Sequence, residues 1–320
     1  MPDKKIIAVT GATGSQGGGL VRAILADPNG GFAVRALTRD VNSEKARALQ
    51  KLGAEVVQAD VDDIASLRRA FTGAYGAFCV TFFWAHMSPE KETADARALA
   101  QAAKDAGVKH VIWSTLEDTR KFVPLSDNRM PTLQGKYKVP HLDAKGEADD
   151  DFRKLPSTLL LTSFYFDNLV NFGLEPKRDA DGKLSFSLPM ADKPMSCIAA
   201  EDIGKCTYGI FKKPEQFIGK TVGIAGEHVT GSQMAAEMGE ALGEPVSYNY
   251  VPPEVFRTFG FPGAEDLGNM FQFFRDFEKE FSAARSIEFS RSVNPELQNF
   301  RTWLKENASR IPVEKKKATA

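Results

Sequence analysis

Residues 9–25 read VTGATGSQGGGLVRAIL, with Gly11, Gly14, Gly17, Gly18 and Gly19 crowded into nine positions ahead of an apolar run. Each glycine inside a helix costs about 1 kcal/mol relative to alanine, so helix formation alone does not explain the cluster. Glycines 11, 14 and 17 make G-x-x-G-x-x-G directly between a strand-like run and a helix-like one, the setting in which such spacing grips phosphate. The first amides of a helix lack intrahelical partners and lie at the positive end of its dipole, so an anion is stabilised there. Side chains would hold a diphosphate away from those amides, and glycine removes them. A glycine turn needed only for packing is the plainer alternative. The chemistry expected is dinucleotide binding.

The second strand ends in ALTRD, where such sites choose their dinucleotide. An acid about 20 residues past the glycines accepts from a ribose diol. Here Arg39 comes first and Asp40 follows, and neighbours in a strand point to opposite faces. Thr38 with Arg39 suits a 2′-phosphate, hence NADP(H); Asp40 on the diol is the competing reading. A charge-assisted bond contributes roughly 1.5–3 kcal/mol. The third strand ends in QADVDD, which sets Asp60 and Val61 beside the adenine. Asp60 suits an acceptor for the adenine amine, or else one of Asp60, Asp62 and Asp63 caps the next helix.

These groups need a scaffold that brings strand ends together. Strand-like runs at 4–10, 32–38, 54–60, 74–81, 109–115 and 157–162 alternate with helical patterns. One helix opens at Ser43 and stops at Gly53. Another opens at Ser88 and Pro89 and stops at Gly107, and a third covers 141–154. Such alternation predicts βαβ units and a parallel sheet. The fold class is therefore α/β, a Rossmann-type doubly wound parallel sheet over residues 1–164, with room for further strands from later in the chain. Residues 117–141 carry three prolines and read as a long surface loop of the kind used near a site. From 165 to 312 the pattern is mixed and predicts a smaller α+β domain closing over the first. Residues 313–320, with Lys315, Lys316 and Lys317, read as a basic disordered tail.

Composition narrows the class. The 320 residues carry a formal charge of −1, which argues against direct nucleic-acid binding. Cys79, Cys197 and Cys206 are scattered, without metal-ligand spacing, and fit buried thiols in a reducing compartment. No apolar run approaches the roughly 18 residues of a membrane span, and the apolar stretch before Gly11 is too short for a signal peptide. A cytoplasmic address follows, with the nucleus as the alternative.

GATGSQGG, followed by TRD, QADVDD, VTFFW, DAKGE, YFDNLVNF, AAEDIG and FPGAEDLGNMFQFF, resembles the NmrA-like family, an atypical branch of the short-chain dehydrogenase/reductase superfamily. The resemblance covers roughly residues 4–310. It implies an NADP(H) site contacted by Gly11, Ala12, Thr13, Gly14, Ser15, Gln16 and Gly17, by Arg39, and by Asp60 with Val61. Thr81, Phe82 and Phe83 after the fourth strand, Lys145, and Ser163, Phe164, Tyr165 and Phe166 after the sixth complete it. It also implies a redox sensor that answers the NADPH/NADP balance by changing its association state, as a homodimer, and its protein partners. One position departs: Ala94 stands where a lysine is found in that type, and any contact made there is lost.

The parent superfamily reduces carbonyls with a tyrosine four residues before a lysine and a serine nearby. Ser114 and Lys145 stand at two of these positions, but the third is His141. A neutral imidazole beside an ammonium is pushed toward its unprotonated form, a poor proton donor. Plainer roles are a strand-end hydroxyl for Ser114, ribose binding or a pair with Asp149 for Lys145, and a first-turn residue for His141. Tyr137 is the remaining candidate acid if its loop folds over the site. The reading is a sensor with little or no catalysis; the alternative is an NADPH-dependent reductase of a small carbonyl or quinone-like substrate. Met270, Phe274, Phe277 and Phe281 share one predicted helix face, as core or as an apolar groove.

Overall fold

The computed structural model describes residues 4–314. Of the tail expected over 313–320, residues 315–320, including all three lysines, lie outside the described residues. β1 (Lys5–Val9), α1 (Ser15–Leu25), β2 (Phe32–Thr38), α2 (Glu44–Lys51), β3 (Glu55–Gln58) and α3 (Ile64–Phe71) come first. β4 (Gly76–Cys79), α4 (Pro89–Asp105), β5 (His110–Thr115), α5 (Pro140–Arg153) and β6 (Ser157–Leu161) follow. The expected punctuation is in place: Ser43 and Ser88 accept from the amides of Ala46 and Lys91. Pro140 takes the first position of α5, where its missing N–H costs nothing.

The later half contains β7 (Phe164–Tyr165), α6 (Asn168–Asn171), β8 (Lys177–Arg178), β9 (Leu184–Leu188) and β10 (Met195–Ile198). Then come α7 (Ala200–Phe211), α8 (Pro214–Phe217), β11 (Thr221–Gly223), β12 (Glu227–Val229), α9 (Gly231–Leu242) and β13 (Val246–Tyr250). Last are α10 (Pro253–Phe256), α11 (Ala264–Asp276), α12 (Glu278–Ala283), α13 (Ile287–Val293) and α14 (Phe300–Asn307).

Seven strands form the main sheet in the order β11-β6-β5-β4-β1-β2-β3, every neighbour parallel. Helices cover both faces. One core holds Leu20, Val21 and Ile24 of α1 with Ile203 and Ile210 of α7; the other holds Leu67, Leu99 and Phe152 of α3, α4 and α5. Two three-stranded sheets, β12-β10-β7 and β13-β9-β8, stand beside the later helices. This is the expected doubly wound α/β fold with a smaller α+β region.

Two features are contributed from far along the chain. β11 joins the sheet at β6, and α7 lies across α1. A Cβ on Gly204 would come within 2.1 Å of the Leu20 nitrogen, and one on Gly19 within 2.9 Å of the Glu201 carbonyl oxygen. Gly19 therefore serves a helix crossing. The helix expected through the aromatic run also breaks, at Phe277, between α11 and α12. Met270, Phe274 and Phe281 are buried, with the Phe274 and Phe281 rings 4.2 Å apart. They are core.

Buried polar groups lock α5 and α12 onto the sheet. Arg285, fully buried, donates to both carboxylate oxygens of Glu117 and to the Thr162 carbonyl. Asp149 accepts from Trp113 Nε1 at 3.1 Å and Thr115 Oγ1 at 2.6 Å, and burial pushes its carboxyl up to about 6. A carboxyl raised above its unfolded value of about 3.9 binds its proton more tightly in the folded state. Its stabilising effect is full below about pH 4 and is lost as the pH rises through 6. Asp149→Asn keeps the acceptor and removes the charge. The substitution is expected to raise stability at pH 7 by about 1–2 kcal/mol, flattening this part of the pH 4–6 slope in urea melts.

Candidate functional site

Because the seven strands run in one direction, their carboxyl ends share an edge, and the winding reverses between β1 and β4. Ligand crevices form at such a switch point. Thr10 ties the two strands together beneath it: its Oγ1 donates to the Phe78 carbonyl at 3.1 Å and accepts from the Val80 amide at 2.9 Å.

The glycine turn follows. Gly11 has a φ of +58°, which favours glycine. Gly14 opens α1 with no side-chain cap and no acid in the first turn. Among the described residues, the amides of Ser15, Gln16 and Gly17 donate to no protein group. By contrast, Ser43, Asp63 and Ser88 cap α2, α3 and α4. Gly11, Gly14 and Ser15 are exposed, Thr13 is half-buried, and Ala12 is buried. A bare surface with uncapped amides and no repelling charge fits a diphosphate.

At the end of β2, Arg39 is exposed; among the described residues its guanidinium has no hydrogen-bond or ion-pair partner. Asp40 is engaged, since its Oδ1 accepts from the Asn42 amide at 2.8 Å. Thr38 Oγ1 shares a turn with the Asp40 backbone. Past β3, Asp63 is the cap of α3. Asp60 and Val61 are half-buried at the edge, with one Asp60 oxygen accepting from the Asp62 amide at 3.1 Å.

Beyond β4 the segment from Thr81 reaches the third part of the edge. Lys145 Nζ donates to Thr81 Oγ1 at 2.7 Å and lies 3.0 Å from Glu92 Oε1. Thr81 also donates to Glu92. Glu92 is fully buried, and its other oxygen faces His86 Nε2 at 3.4 Å. Lys145 is thus paired with Glu92, while Asp149, the partner weighed from helical spacing, serves Trp113 and Thr115. Phe83 is buried and Phe82 exposed. Glu92 was missed, yet a signal existed: it shares the spacing of Ala96, Leu99 and Ala103, an inward stripe of α4 on which a charge needs a partner.

Ser114, at the end of β5, donates to Gln16 Oε1 at 2.7 Å, and Gln16 Nε2 donates to the Tyr165 hydroxyl at 2.5 Å. Burial pushes the Tyr165 phenol up, so it stays a neutral partner. This bridge joins the glycine turn to β5 and β7. Ser163 donates to the Ile224 carbonyl. Phe164 and Phe166 turn into the core of the smaller region, Phe164 against Phe271 at 5.8 Å and Phe166 against Phe300 at 5.0 Å. Tyr165, by contrast, reaches Gln16 of α1.

Tyr137 is not brought to this group. Its hydroxyl lies 3.4 Å from Glu90 Oε1, and burial pushes its phenol up, the wrong direction for an acid. His141 Nδ1 lies 2.7 Å from Asp266 Oδ1, and its amide donates to the other oxygen of Asp266. Among the described residues, no three His, Cys, Asp or Glu side chains cluster to hold a metal ion, and no helix is long and apolar enough to cross a membrane.

The sequence profile of the NmrA-like family matches residues 3–304. The chain is 30% identical to the NmrA-like family domain-containing oxidoreductase FrzB of Cladobotryum sp., over 84% of this chain and 83% of that protein. It is also 30% identical to an NmrA-like family domain-containing protein of Dictyostelium discoideum, over 78% of this chain and 81% of that one. The solved structure of NmrA, a negative transcriptional regulator, in complex with NADP is 26% identical, with a TM-score of 0.78 over 95% of both chains. The glycine turn, the strand order and the segment around Asp266 all fall inside the matched span, and the chain belongs to the NmrA-like family.

Proposed function

We propose that this protein binds NADP(H) along the carboxyl edge and acts as a redox sensor, with little or no catalysis. The turn from Gly11 to Gly17 would hold the diphosphate, Thr38 and Arg39 the 2′-phosphate, and Asp60 with Val61 the adenine. Thr81 to Phe83, Lys145 and the backbone of residues 163–166 would hold the nicotinamide end. NmrA, a regulator, has been solved with NADP and with NAD, which supports both the cofactor and a regulatory role. A change of association state or protein partner, in the cytoplasm or nucleus, would be the output.

The observation that carries the reading is the engagement of Lys145 by Glu92 and Thr81 while position 141 is a histidine turned to Asp266. Ser114 also spends its only proton on Gln16. Bound NADPH would supply a hydride, but among the described residues beside Lys145 none is set to supply the accompanying proton, since Thr81 donates to Glu92. Relatives described as oxidoreductases, FrzB among them, favour the second reading, a reductase of a small carbonyl or quinone-like substrate. Steady-state NADPH oxidation with a panel of quinones and aldehydes separates the two. The sensor reading expects rates at the solution background together with an NADPH-dependent shift in mass by light scattering; sustained turnover without any shift refutes it.

A further inference from the structure

A cavity of about 450 Å³ opens beside the nicotinamide end of the edge, between the segment after β4 and the stretch that joins α10 to α11. Phe83 and Trp84 form one wall; Phe259 and Phe261, both about two-fifths exposed, form the other. The first wall is built, not incidental. Gly263 adopts a φ of +87°, and a Cβ there would meet the Trp84 ring at 2.8 Å. His141, fixed by Asp266, lies against the same indole with ring centres 4.9 Å apart.

Arg257 lines this cavity and has an unusual set of partners. Its Nη1 donates to Asn269 Oδ1 at 3.1 Å and to Gln272 Oε1 at 2.8 Å. Both amides are buried, and their nitrogens are committed to the carbonyls of Pro131, Lys138 and Arg129. Their oxygens are therefore fixed toward the guanidinium. Among the described residues no carboxylate makes an ion pair with Arg257: Asp266 is spent on His141, and Glu254 and Glu265, whose charges reach the guanidinium, are both exposed. Burial lowers the Arg257 pKa, so the cation is partly desolvated. A guanidinium offers five donors, and among the described residues only Nη1 is engaged, which leaves Nε and Nη2 for a ligand. A planar fork of this kind matches a carboxylate in two-point fashion.

We propose that this cavity binds a planar aromatic carboxylate, its ring between Trp84 and the Phe259–Phe261 wall and its acid on Arg257. The site goes beyond the cofactor reading and needs only the cavity and the arginine.

Calorimetry with 2-naphthoate and its neutral isostere 2-naphthamide tests it. The wild-type protein is expected to bind the acid at least about tenfold tighter, and Arg257→Gln to level the two while NADPH affinity is kept. Equal binding of both by the wild type overturns the proposal, and so does a preference that survives Arg257→Gln. Should Arg257→Gln fail to fold, Thr258→Glu decides. It places a competing carboxylate on an exposed residue of the same wall and is expected to weaken naphthoate selectively; equal effects on both probes reject the site. A protein that binds naphthoate as expected but not NADPH would remove the cofactor reading and leave this one standing.

Discussion

Gly17→Ala is expected to abolish measurable NADPH binding and to lower the melting temperature. In a helix interior the change should help, since alanine is favoured over glycine by about 1 kcal/mol. Here the added Cβ would lie 2.5 Å from the Gly11 carbonyl oxygen and 2.7 Å from both the Gly11 carbon and the Thr10 carbonyl oxygen. All three are backbone atoms, and no side chain can rotate away. The turn must move bodily, at an overpacking cost of about 1–3 kcal/mol, which outweighs the gain in propensity. The same movement displaces the amides of Ser15, Gln16 and Gly17 from the diphosphate. Hydrogen bonds to charged groups contribute roughly 1.5–3 kcal/mol each, so misplacing two of them weakens binding more than a hundredfold. Thermal melts with and without NADPH check both effects. The wild type should gain melting temperature with cofactor and the variant should not; an unchanged gain would contradict the assignment of the turn.

Arg39→Ala should weaken NADPH ten- to a hundredfold and leave NADH within about twofold. The guanidinium is exposed and, among the described residues, unengaged, while one carboxylate oxygen of its neighbour Asp40 accepts from the Asn42 amide. The arginine is thus the cation available to meet a group beyond the ribose. A single charge-assisted contact of roughly 1.5–3 kcal/mol gives this range. Since the contact is exposed, the difference should shrink as salt is raised. Equal losses for the two coenzymes would return the role to Asp40. Competition titrations in low and high salt read all of this directly.

Both predictions rest on features legible in the residue order, for a physical reason. Strands β1 to β6 are short runs rich in apolar residues, and the helices between them carry start or stop signals such as Ser43, Gly53, Ser88 and Gly107, each of them local. Once they are parallel, topology alone carries Gly11, Arg39, Asp60, Thr81, Ser114 and Tyr165 to one edge, whatever the loops do. What stayed hidden depends on contacts between distant segments. β11 returns to the sheet some sixty residues after β6, and α7 meets α1 through Gly19 and Gly204, whose pairing no periodicity reveals. The break at Phe277 likewise comes at a residue that is no helix stopper, with the Phe274 and Phe281 rings in contact from either side of it.

The site divides in the same way. That Lys145 faces the edge follows from helical spacing, but its partner Glu92 is on a different helix, more than fifty residues earlier. The strand-end position of Ser114 is set locally, whereas its bond to Gln16 needs the turn and β5 in three dimensions. Tyr137 stood in a loop whose path no local pattern fixes, and the path leads it to Glu90. Asp266 gave no sign of being the partner of His141, because the two are brought together only by the docking of α11 on α5.

Isothermal titration of the purified protein with NADPH, with NADH as the comparison, tests the central claim most directly. Saturable one-to-one binding of NADPH, at least about tenfold tighter than NADH, is the expected result. No heat of binding from either coenzyme at millimolar concentration would contradict the cofactor site and, with it, both the sensor and the reductase readings.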